Sequence, residues 1–206
     1  MGKGKGGNPL KPRPLPPSFF MQQRQKNGDE WLNMVSTEFI RKNAMRIFKD
    51  LATGAANVDV EYQYFLNYDF TYNLAIAASD NANYNRICYL GICNSPVPVD
   101  KEMIRVANDQ LEKFNVYNMI VSYMNNILQD LTFNGGTLCR YYLQEMVASI
   151  RNKRNVFNGN FITLPKEYDR QHVKLERRNR NHDYGFDKDD SGTSGFFAKP
   201  PETHLR

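Results

Sequence analysis

The chain has 206 residues, 41% of them hydrophobic, and a net charge of +5, which suits one domain with appendages. Its three cysteines are too few and too odd in number for a disulfide scaffold, so reduced thiols are expected. No apolar run approaches the roughly 18 residues of a membrane span. The first residues carry charge and proline where a secretion signal needs an apolar stretch, so a soluble protein with no membrane contact is expected.

The charge is segmented. Residues 1–28 contain six Lys/Arg and no acid, 29–150 carry −5, 151–182 carry +6 and 183–206 carry −2. A mildly acidic body with two basic extensions differs from a uniformly basic nucleic-acid binder. The extensions are read as meeting something negative, either nucleic acid or the acidic body of a neighbouring subunit. Candidate contacts are Lys3, Lys5, Lys11 and Arg13 at one end and Arg177, Arg178 and Arg180 at the other.

Residues 1–28 read as an extended arm. Pro9, Pro12, Pro14, Pro16 and Pro17 fix φ and remove donors, favouring a polyproline II spacer laid along a partner. Arg13-Pro14-Leu15-Pro16-Pro17 also has part of the pattern of an SH3 ligand. Phe19 and Phe20 close the arm as an aromatic docking pair.

A helical body is expected over 29–157. The first helix would be capped by Asp29, run through Trp31, Val35, Phe39, Ile40, Ala44, Ile47, Phe48 and Leu51, and close at Gly54. Arg41, Lys42, Arg46 and Lys49 make its second half basic, as a solvated face or a phosphate contact. Over 58–76 every even position is apolar or aromatic, which is strand periodicity and, at that length, a β-hairpin turning near 67–69. A helix after Asp59 with Tyr64, Tyr68 and Tyr72 as one stripe competes, because no Gly or Pro interrupts the run. Acidic neighbours (Asp59, Glu61, Asp69) make that stripe a core or protein interface rather than a base-stacking surface.

Ile87 to Ile92 is a short apolar piece, and a Pro-containing loop then delivers an N-cap at Asp100. Met103/Ile104, Ala107, Leu111, Phe114, Tyr117, Ile120/Val121, Met124, Ile127/Leu128 and Leu131 hold one face of a long helix, with a kink expected at Asn115. Asn134-Gly135-Gly136 breaks it, and a further helix runs from Thr137 to Ile150. Two long helices joined by a Gly turn predict an antiparallel hairpin. The fold class is therefore mainly α: a helical bundle with a long antiparallel hairpin and extended N- and C-terminal arms.

Residues 158–206 form the second arm, carrying Tyr184, Phe186, Phe196 and Phe197 as candidate docking side chains. All three histidines (His172, His182, His204) lie there, away from the body. Cys88 and Cys93 lack a second ligand pair and are read as buried and inert. No paired carboxylates or phosphate loop stand out, so neither a catalytic residue nor a metal or cofactor is expected, and the protein is read as a non-enzyme.

Arms flanking a helical body suggest a part built to be held by neighbours, because such arms cannot offset their own ordering entropy alone. This layout resembles the connector, adaptor or ring proteins of tailed bacteriophages. The 23 asparagines, 12 tyrosines and 13 phenylalanines are similar to phages of gut Bacteroidetes, the crAss-like group. The resemblance implies a virion structural protein forming a cyclic homo-oligomer at the head–tail junction, contacting other virion proteins and DNA, with no catalysis. A capsid-decorating or internal cargo role fits the same layout. The alternative is an RNA- or DNA-associated protein such as a ribosome-associated or packaging accessory subunit.

Overall fold

A computed structural model describes residues 13–158. The described chain is a helical bundle with no strand. Its helices are α1 (Phe19–Asn27), α2 (Thr37–Thr53), α3 (Val58–Phe65), α4 (Tyr68–Cys93), α5 (Lys101–Phe133) and α6 (Cys139–Ile150), with 3-10 segments at Trp31–Met34 and Arg151–Val156.

Local chemistry sets these boundaries. Ser36 caps α2 by accepting from Phe39 N at 3.1 Å, and Gly54 ends it in the left-handed region at φ 80°. The expected start at Asp29 is therefore corrected: a 3-10 turn stands there, and α2 begins seven residues beyond Glu30. Between 58 and 76 two asparagines decide against the hairpin. Asn57 Oδ1 accepts from Asp59 N at 2.9 Å and Asn67 Oδ1 from Phe70 N at 3.0 Å, so each starts a helix. The period-two pattern was a coincidence of dense aromatics. Glu61 and Phe65 are buried, and so are Phe70 and Leu74, each pair at helical spacing, while Val60, Leu66 and Tyr68 are exposed.

The long antiparallel pair is α4 with α5, joined by residues 94–100. The hairpin expected from the Gly turn, α5 with α6, also packs together but along the shorter α6. Small side chains let α4 sit at the centre: Ala75, Ala77, Ala78, Ser79 and Ala82 are all buried. Asp100 caps α5 by accepting from Met103 N at 2.8 Å. The helix runs unbroken through Asn115, where a kink had been expected.

The turn into α6 uses Gly135 and Gly136 at φ 64° and 83°. A Cβ at Gly136 would come within 2.8 Å of Leu66 Cδ2 and 3.1 Å of Leu131 Cδ2, whereas one at Gly135 meets open space. Gly136→Ala should therefore cost about 1–2 kcal/mol, the positive φ being the larger part because Leu66 can shift. Gly135→Ala should cost less, and urea denaturation of the two variants checks the order.

The largest correction concerns the N-terminal arm. Phe19 and Phe20 are 1% and 0% exposed. They sit in an aromatic nucleus with Trp31, Phe39, Tyr64, Phe65 and Phe70, in which the Phe20 and Tyr64 rings stack with centroids 5.3 Å apart. They are core residues and not exposed docking groups, and the expected boundary at 28/29 falls inside the folded unit. Ser18 caps α1 by accepting from Met21 N. Phe19 N donates to Asp50 Oδ2 at 2.7 Å, and Arg24 pairs with Glu61 on α3. At the far side Phe157 packs against Phe48 and Tyr117, which closes the core.

Candidate interaction surfaces

Of the residues singled out in the sequence, Arg13 is exposed at the start of the described chain. Lys3, Lys5, Lys11, Arg177, Arg178, Arg180, Tyr184, Phe186, Phe196 and Phe197 lie outside the described residues. The surfaces that can be built from structure are therefore three others.

The first is an apolar cap where two turns meet. Leu66, in the α3–α4 turn, lies against Gly136 in the α5–α6 turn. Around this junction Phe133 is 79% exposed, and Leu66 and Leu138 about 40% each (42% and 41%). Single exposed leucines need no explanation, but a phenylalanine set out among other apolar groups marks a contact surface. Phe133 carries no distinguishing signal in the sequence, because periodicity cannot tell the last turn of a helix from its core.

The second surface is the opposite end, the tip of the α4–α5 pair. No residue from Arg86 to Val106 is fully buried, and Leu90, Val97, Val99 and Ile104 are exposed. Here the cysteine expectation is corrected. Cys93 is exposed and Cys88 half-buried, because this part of α4 extends past the core; only Cys139 is buried. Burial and then the neighbouring Asp130 push the Cys139 thiol up to about 12. With a thiol-reactive disulfide at neutral pH, Cys93 should label fastest, Cys88 more slowly and Cys139 only on unfolding; Cys93→Ser should remove the fast phase.

The third is a basic cleft of about 570 Å³ between the end of α2 (Thr53, Gly54) and Arg151, Asn152, Arg154 and Asn155. A shallower groove of about 370 Å³ runs along α5 past Leu111, Val116 and Met119, where Lys153 bonds Glu112 at 3.2 Å. The basic face expected on α2 is partly self-satisfied. Lys42 pairs with Glu38 at 2.9 Å, Arg41 Nε donates to Asn73 Oδ1 at 3.1 Å, and Arg46 lies over the Phe19 ring. The Tyr stripe divides between core and surface: Tyr64 stacks inside on Phe20, while Tyr68 and Tyr72 stack on one another, with Tyr68 exposed.

Among the described residues no group of three His, Cys, Asp or Glu side chains could hold a metal ion, and no helix is long and apolar enough to cross a membrane. Residues 13–158 form an all-α bundle, and the candidate sites among them are surfaces. No family model, curated protein or solved structure matches the chain.

Proposed function

We propose that the protein is a non-enzymatic structural subunit of a virion, of the head–tail connector or ring type, docking on copies of itself and on neighbouring virion proteins. The observation that carries this reading is the pair of apolar surfaces at opposite ends of a body that already closes its own core. Two different surfaces on one rigid body favour a head-to-tail contact, which closes into a ring when the rotation per subunit allows it. The flanking arms would add buried area between subunits, and their charge against the acidic body would set register.

The test is a double substitution at the apolar cap, Phe133→Ser with Leu138→Ser. Both side chains are exposed, so helical circular dichroism should be unchanged while the native mass falls towards the monomer. An unchanged multimer would remove the cap from the contact and leave the reading without its main support.

A further inference from the structure

The first and the last described elements both pack on α2. Phe19 N–H is bonded to Asp50 at 2.7 Å, and the Phe157 ring centroid is 6.3 Å from that of Phe48. These contacts lie on different sides of α2, because residues two apart in a helix do not share a face. The basic cleft begins about one turn further on, where Thr53 and Gly54 meet Arg151 and Arg154.

The cleft itself is unbalanced in charge. No carboxylate lines it. Arg151 and Arg154 are exposed, and neither guanidinium has a side-chain partner among the described residues. Elsewhere on the body the cations mostly have partners: Arg24, Lys42, Arg105, Lys113 and Arg140 all pair with acids. The end of α2 therefore faces two arginines without an acidic partner, and the sequence segment that carries them, 151–182, holds nine basic and three acidic residues. Repeated positive charge without matching acid suits a polymer of evenly spaced negative groups. The arginine fork and asparagine amides are the side-chain donors that bind phosphate oxygens.

We propose that this face binds the phosphodiester backbone of nucleic acid, with Arg151 and Arg154 as the contacts in the cleft. The proposal goes beyond the assembly reading and stands without it. The contact reads no base sequence, because backbone contacts position a protein without specifying a site.

The experiment uses the full chain and a short labelled DNA duplex, with binding followed by fluorescence anisotropy between about 50 and 200 mM salt. Arg151→Gln/Arg154→Gln should lower the slope of log affinity against log salt by about 1.8, the loss of two phosphate contacts at about 0.9 each. Over that salt range the variant's affinity should fall about tenfold less than the wild type's. Labelled single-stranded RNA should show a loss in the same direction, since the phosphates are shared. Lys42→Gln/Arg105→Gln, on paired residues of other faces, should leave the slope unchanged. Three results would overturn the proposal: no binding at the lowest salt, an unchanged slope in the cleft variant, or displacement of the duplex by polyglutamate at equal charge. The last would make the occupant an acidic protein. A multimer that persists in the cleft variant keeps the assembly reading whatever the duplex does.

Discussion

Phe20→Ala should destabilise the folded chain by about 3–5 kcal/mol, as expected when a fully buried phenylalanine is truncated and its neighbours cannot collapse into the space. Phe20 is 0% exposed and its ring centroid lies 6.1 Å from that of Trp31, 5.3 Å from Tyr64, 6.2 Å from Phe65 and 6.1 Å from Phe70, with Phe19 at 5.8 Å. Edge-to-face and stacked pairs of this kind add to the simple burial of area. Chemical denaturation followed by tryptophan fluorescence reads the loss directly, because Trp31 is the only tryptophan and lies in the same nucleus. A variant with wild-type stability that merely failed to assemble would restore the exposed docking role expected from the sequence.

The second large effect is expected at Glu61. Arg24 and Glu61 form a two-pronged pair, Nη1 to Oε2 at 2.6 Å and Nη2 to Oε1 at 2.9 Å, and Tyr64 OH lies 3.1 Å from Nη1. The Glu61 side chain is 4% exposed and that of Arg24 24%. The hydrogen bond to Glu61, opposed by desolvation, holds the Arg24 guanidinium above its ordinary value. Glu61→Ala leaves that cation over the aromatic nucleus without its partner, and should cost about 3 kcal/mol. Replacing both, as Arg24→Met with Glu61→Leu, should cost clearly less than the sum of the single variants, since no charge is then stranded. Strict additivity in this cycle would mean that the pair is not what fixes α1 to α3.

Much of the bundle could be read from residue order. The cap at Asp100, the apolar face of α5 from Ala107 to Leu128 and the break at Gly135-Gly136 are local signals, and each stands where expected. The end of α2 at Gly54 is equally local. What escaped depends on contacts between distant segments. Phe19 and Phe20 follow a proline-rich stretch, and nothing near them shows that α3 and α4 supply Tyr64, Phe65 and Phe70 to surround them. Beyond Leu74 the buried face of α4 is made of alanine, serine and asparagine, which give a weak hydrophobic period although they allow close helix packing. Arg151, Lys153 and Arg154 were legible as a favourable end to α6, but the cleft that Arg151 and Arg154 form with Thr53 and Gly54 appears only when α2 and the last 3-10 segment are brought together.

The central claim is that this body is made to be joined to others, and native mass tests it most directly. Light scattering of the full chain on a sizing column, before and after nuclease, should give a discrete multimer whose mass nuclease does not change and whose subunit number follows from 23.9 kDa per chain. A monomer at every concentration, or a multimer that nuclease reduces to monomers, would contradict it.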